Sequence, residues 1–199
     1  MEKIDGLYSI IKGTNNPLSS DVAIIDGYKY TYVFEVGASE KIIEELNSIK
    51  KDKAIIISHF HQDHLANINK IDYQKLFVGD NTYKYTNSGE IIDDLYIEDG
   101  VKLHLFKISS CHSKGSIGME IGDYAFIGDA NAPAFKNGHY VYNVQMLKEE
   151  IEQLSSLKAN YIVFSHHMER PVTKTDVIKK LQDIYNNREK NNPYIQVDK

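Results

Sequence analysis

His59, His61, Asp63 and His64 all fall within one hexapeptide, HFHQDH, directly after the apolar run Ala54, Ile55, Ile56, Ile57. In an extended chain alternate residues point the same way, so His59 and His61 can reach one ion. Once the chain turns, Asp63 and His64 can face a second position. Two divalent ions about 3.5–4 Å apart is the common two-metal separation. A helical version is less natural, because metal-binding histidines on a helix favour an i, i+4 pair. With 8 histidines in 199 residues, a chance HxHxDH is on the order of one in a thousand, so the motif stands well above background.

Other candidates sit at or just beyond the C-terminal ends of expected strands, where loops carry sites. They are His112 in HSKGS (112–116), Asp129 in GDA (128–130), and His166 and His167 in SHH (165–167). Residues 166 and 167 cannot both face one site while the segment is extended. His104, between Leu103 and Leu105, and His139 lie in no motif and read as surface or satisfied core residues. Cys111, the one cysteine, should point away from its neighbour His112 and act as a small buried hydrophobe. A lone cysteine also excludes an internal disulfide and a Cys-based zinc site. Arg170 could reach an anionic group of a substrate, although a surface salt bridge is the plainer role. Tyr140 and Tyr142, between Asp129 and the next helix, are candidates for lining a substrate mouth.

The elements that must place these residues alternate in two rounds. Strands are expected at 7–11, 21–26 and 30–36, followed by a helix from the N-cap Ser39 with Ile42, Ile43, Leu46 and Ile49 on one face. The continuously apolar strand 54–58 should be covered on both sides. A short helix from Leu65 and a strand at 75–78 complete the first round. Strands at 89–97, 101–108, 116–121 and 124–127 open the second. A helix over 145–157, a buried strand over 161–165 and a helix over 173–186 close it. That order suits two sheets packed face to face with helices outside. The chain reads as one domain over 1–199, with 191–199 a frayed tail.

Composition narrows the function class. Apolar residues make up 42% and charged residues 26%, ordinary for a globular chain. A net charge of −5 argues against nucleic acid as a partner, since that affinity comes mainly from phosphate neutralisation. Arg170 and Arg188 are the only arginines, so bidentate phosphate clamps are scarce. The N-terminus has no apolar signal-like core, and no run approaches the roughly 20 residues that span a bilayer. A cytoplasmic location, away from the membrane, is the expectation.

HFHQDH after a strand, then HSKGS, GDA and SHH in that order, resemble the metallo-β-lactamase superfamily over nearly the whole chain. The resemblance implies a four-layer αββα sandwich of the mixed α/β (α+β) class and a metal-dependent hydrolase. Carried over residue by residue, it implies that His59, His61 and His112 hold one ion. Asp63, His64 and His166 would hold a second, with Asp129 bridging; His166 rather than His167 matches the family position. All-His/carboxylate ligation suits two zinc ions, with manganese or iron also compatible. The ions would lower the pKa of a shared water and polarise the substrate, with Asp63 and Asp129 as catalytic residues that also ligate metal. The implied substrate is a small molecule with an ester-like, thioester, lactone, amide or phosphodiester bond.

An iron-dependent oxygenase or oxidoreductase and a non-catalytic metal-binding member are the alternatives within the same superfamily. Its flavin-linked di-iron members carry Glu at the place of His61 and an added flavin domain, which lowers the first of these. The chain departs from the family pattern at Glu35-Val36-Gly37, where Asp-x-Gly is usual, and at Ser113-Lys114, where Thr-Pro is common. About 33 residues follow His166, close to a bare catalytic core, so substrate recognition would fall to its own loops or to a second subunit of a homodimer.

Overall fold

The central strands bury both of their faces, and the two faces belong to different layers. The computed structural model describes residues 3–198. Lys3–Ile4 (β1), Tyr8–Ile11 (β2), Val22–Asp26 (β3), Thr31–Phe34 (β4), Lys53–Ile57 (β5), Lys75–Val78 (β6) and Glu90–Ile91 (β7) form one seven-stranded sheet in that spatial order. Helix α1 (Glu40–Ser48) joins β4 to β5. Helix α2 (Gln62–Leu65) and a 3₁₀ turn at Ile68–Lys70 precede β6, and α3 (Asp80–Thr86) follows it.

The chain then crosses to a second sheet through β8 (Asp94–Glu98), β9 (Lys102–Ile108), β10 (Ser116–Ile121) and β11 (Tyr124–Phe126). A hairpin of β12 (Ala134–Lys136) and β13 (His139–Asn143) leads into α4 (Val144–Ser156). After it come β14 (Tyr161–Val163), β15 (Val172–Thr173), α5 (Lys174–Asn186) and β16 (Tyr194–Val197). The second sheet has the order β15-β14-β11-β10-β9-β8, and a third, small sheet has the order β12-β13-β16.

Side chains that alternate along a strand sort into these layers. On β3 and β5, Ala23, Ile25, Ala54 and Ile56 face the second sheet and meet Leu103, Leu105, Ile117, Met119 and Phe126. Their neighbours Val22, Ile24, Ile55 and Ile57 face outward onto Ile42 and Leu46 of α1. On the far side Phe106, Ile108, Ala125 and Ile162 meet Leu147, Ile151 and Leu154 of α4 and Val177 and Leu181 of α5. Each valine, leucine, isoleucine, methionine or phenylalanine among them contributes about 1.5–3 kcal/mol on full burial. The result is helix, sheet, sheet, helix. No helix among the described residues is long and apolar enough to cross a membrane.

Several local readings change. Residues 89–97 read as one strand, but the chain breaks after β7, and β7 and β8 lie in different sheets. The amide of Ile92 bonds to Val78 in the first sheet, and the carbonyl of Asp93 accepts from Lys107 in the second. Ser39 stands at the N-cap of α1, yet its hydroxyl makes no capping bond. The expected frayed tail holds β16 instead, which pairs with β13 and buries Ile195 against the α4–α5 layer. Residue 199 lies outside the described residues.

Two measurements test this packing. Ile195→Ala should lower stability by about 2–4 kcal/mol in urea unfolding, as for a core isoleucine; a frayed tail would give no change. Glu150 of α4 is fully buried with neither carboxyl oxygen hydrogen-bonded, and burial raises its pKa well above the usual carboxylate value. Its folded pKa therefore exceeds its unfolded one, so its destabilising effect is absent below the unfolded pKa and grows as pH rises. Glu150→Gln should be more stable than wild type at pH 8, with the gap shrinking toward pH 4.5.

Candidate metal centre

Five strands deliver side chains to one end of the sandwich. β4 and β5 run parallel in the first sheet, as do β11 and β14 in the second. Their C-terminal ends lead to Glu35, His59, Asp129 and His166, and the loop after β9 brings His112. Backbone bonds tie these ends together across the sheets. The amide of Ile117 donates to Ser58 (2.9 Å), that of Ser165 to Gly128 (3.3 Å), and those of Val36 and Gly37 both to His64 (3.0 Å). Gly128 has φ +63°, and a Cβ there would collide with the Ser58 hydroxyl. That hydroxyl lies 2.9 Å from Nδ1 of His59, so glycine before Asp129 protects the placement of His59 as well.

The hexapeptide divides at His61. His61 is extended and caps the N-terminus of one helical turn, Gln62–Leu65, while His59 lies just beyond β5. Asp63 and His64 thus come from a helix that begins earlier than the expected start at Leu65. Nε2 of His59 lies 3.0 Å from Nδ1 of His61, and Nε2 of His112 lies 3.0 Å from the same atom. Burial, and then the neighbouring imidazoles, push the pKa values of His59 and His61 down. Three imidazole nitrogens that converge at this range suit a shared cation. A tetrahedral ion with bonds of about 2.0–2.1 Å to nitrogen sets its ligands about 3.3 Å apart, so the three rings fit one.

The second group is Asp63, His64, Asp129 and His166, whose ligand atoms lie within 4.8 Å of one another. Nε2 of His166 is 3.2 Å from Asp63 and 3.5 Å from Asp129. Nε2 of His64 is 3.4 and 3.3 Å from the same two carboxylates. That nitrogen is buried and makes no well-formed hydrogen bond, the signature of a donor atom shaped for an ion. Hydrogen bonds to Asp129 and Asp63 raise His166 to about 9. Burial alone would raise both carboxyls, yet the close imidazoles of His166 and His64 hold them far below the usual range. An ion entering this group must displace protons from the histidines. Asp129 Oδ2 also lies 3.9 Å from Nε2 of His112, so this carboxylate sits between the two groups.

Glu35 supports the second group from behind. It is fully buried, and its Oε1 lies 3.1 Å from Nδ1 of His64 and accepts from the Ser165 hydroxyl (3.0 Å). The Ser58 amide donates to the other oxygen at 3.3 Å. With φ +67°, Glu35 holds a left-handed conformation that costs a non-glycine residue roughly 1 kcal/mol or more. The departure from Asp-x-Gly marked this position in the sequence, but not its partner 29 residues away.

The remaining candidates scatter. Arg170, His166 and His167 all line a groove of about 490 Å³ on the second group's side, and of the two histidines His167 is the exposed one. Tyr142 is buried and donates its hydroxyl to the carbonyl of Asn131 (2.8 Å). Tyr140 packs its ring on Phe135 of the hairpin. His104 sits between Glu120 and Asp94 on the second sheet, a staple far from the other histidines in role. The Cys111 sulfur accepts from the Asn143 amide (3.2 Å) and packs against the α4 layer.

No family model and no curated protein matches the chain. Solved structures do. An archaeal metallo-β-lactamase superfamily protein from Sulfolobus tokodaii is 19% identical with a TM-score of 0.60, over 92% of this chain and 88% of that one. A metallo-β-lactamase from Pontibacter korlensis is 16% identical with a TM-score of 0.65, over 94% and 98%. A flavoprotein from Thermotoga maritima is 14% identical with a TM-score of 0.66; 96% of this chain spans only 57% of that one. The chain has the metallo-β-lactamase fold.

Glu35→Gln keeps the shape and removes the charge behind His64. Chelator-competition titrations should show metal affinity at the second group falling by about 10–100-fold, with the three-histidine group unchanged. Equal affinity in both proteins would reject the supporting role.

Proposed function

We propose that this chain is a metal-dependent hydrolase that uses two divalent ions, zinc first, to act on a small substrate with an ester-like, thioester, lactone, amide or phosphodiester bond. The observation that carries this reading is the position of Asp129, whose one oxygen lies near His64 and His166 on one side and His112 on the other. His59, His61 and His112 would hold one ion; Asp63, His64 and His166 would hold the other, with Asp129 shared. Bound there, such ions would acidify a water and polarise the carbonyl or phosphoryl oxygen under attack.

The chain's own groups supply the rest. Asp63 and Asp129, ionised throughout the neutral range, would orient the attacking water by accepting from its O–H groups. The buried strands behind His59 and His64 keep bulk water from one side of the site. The groove beside His166, with Arg170 at its edge, supports substrate entry from the second group's side. A guanidinium there suits a substrate with an anionic group.

Protein prepared without chelators should contain roughly two equivalents of transition metal and turn over at least one member of a thioester, lactone, β-lactam and phosphodiester panel. Asp129→Asn should lower kcat by on the order of 10²-fold or more. Metal content below half an equivalent that added metal does not restore would sink the reading. Iron content with oxygen uptake would favour an oxidoreductase; a flavo di-iron protein is among the similar structures.

A further inference from the structure

The loop between β2 and β3 contributes no candidate ligand, yet its last three residues bond to the backbone near Glu35, at Asp63 and beside His166. Ser19, Ser20 and Asp21 are all buried. The Ser19 hydroxyl accepts from the amide of Ala38 (2.9 Å), beside the Glu35 turn. The Ser20 amide donates to the carbonyl of Asp63 (2.8 Å), and the Asp21 amide to the carbonyl of Ser165 (2.7 Å).

The Asp21 side chain then closes on the same turn from its other end. Its Oδ2 accepts from the amide of Met168 (3.0 Å) and from the Lys12 ammonium (2.6 Å), and its Oδ1 accepts from the amide of Gly13 (2.8 Å). Ser165 and Met168 bracket His166. One residue therefore grips the backbone on both sides of that histidine without touching its ring. Lys12 extends the grip by pairing with Glu169 as well.

Chemistry explains why this position holds a carboxylate. Two backbone N–H groups approach opposite oxygens, and only a carboxylate accepts on both sides. An amide would turn an NH₂ toward one of them and leave a buried donor unmet, which costs far more than a lost exposed bond. Charge on Asp21 also strengthens all three bonds it receives.

We propose that Asp21 is the positioning residue of the second metal-holding group: it sets the His166 imidazole where Asp63 and Asp129 meet it. The proposal rests on the reading that both groups hold ions. Its alternative is that the same bonds only stabilise the fold, in which case both groups would suffer together.

Cobalt(II) titration of metal-free protein, followed by visible absorption, separates the two. Wild type should show two binding events. Asp21→Asn should keep the event at His59, His61 and His112 within about twofold and weaken the other by about tenfold or more, the scale of lost outer support at metal sites. Lys12→Met, which spares both backbone bonds, should leave both events within about threefold. Should the Asn variant fail to fold, Asp21→Glu keeps two acceptors and the charge but displaces them, and the same selective weakening is expected. Both events intact in the Asp21 variant, or both weakened in parallel with its melting temperature, would overturn the role of Asp21. Wild-type protein that takes up no cobalt would overturn the metal reading itself, and this proposal with it.

Discussion

The pairing of His64 with Glu35 is the interaction around which the site is arranged. Both side chains are fully buried, and both come from chain ends that leave the first sheet. An imidazole in that position pays for desolvation only if its outer nitrogen is bonded, and Glu35 supplies that bond at 3.1 Å. The inner nitrogen then has one direction left, toward Asp63 and Asp129. Those carboxylates in turn define where His166 must stand. A single buried pair thereby orders a group of four residues contributed by three segments.

Such an arrangement needs a rigid base, because imidazoles and carboxylates at these distances repel or attract strongly enough to deform loose loops. The two sheets provide it. Strands β5 and β11 are buried along their whole length, and the first functional side chain follows only two or three positions beyond their ends, at His59 and Asp129. Backbone bonds between Ile117 and Ser58 and between Ser165 and Gly128 then lock one strand end to the next. The electrostatics divide along the same line. Burial pushes His59 and His61 toward the neutral form, whereas close carboxylates raise His166 in the second group.

Much of the fold was legible because its signals are local. The helices α1, α4 and α5 follow from apolar residues at helical spacing, and β5 follows from an unbroken apolar run before a polar turn. What escaped notice has a shared cause. The strands β12, β13 and β16 are short and half polar, and β16 exists only because β13 offers an edge to it. Helix α3, with the sequence DNTYKYT, has no apolar stripe and forms where it packs beside the HSKGS turn. The split between β7 and β8 is invisible locally, since an extended chain reads the same whichever sheet it joins.

The sequence by itself determined which residue types were available at the strand ends, and in what order: His59, His61, Asp63, His64, His112, Asp129 and a choice between His166 and His167. Their order reflects local chemistry, an apolar strand followed by a polar turn, which needs no knowledge of the rest of the chain. Only the tertiary structure decided how they combine. It turned His166 inward and left His167 exposed, placed Asp129 between two groups, set Glu35 behind His64, and brought Asp21 to both ends of the His166 turn. Those outcomes depend on contacts between residues 29 to 147 positions apart. The physical reason is that a buried charge is tolerable only beside a partner, and in this chain the partners come from distant strands.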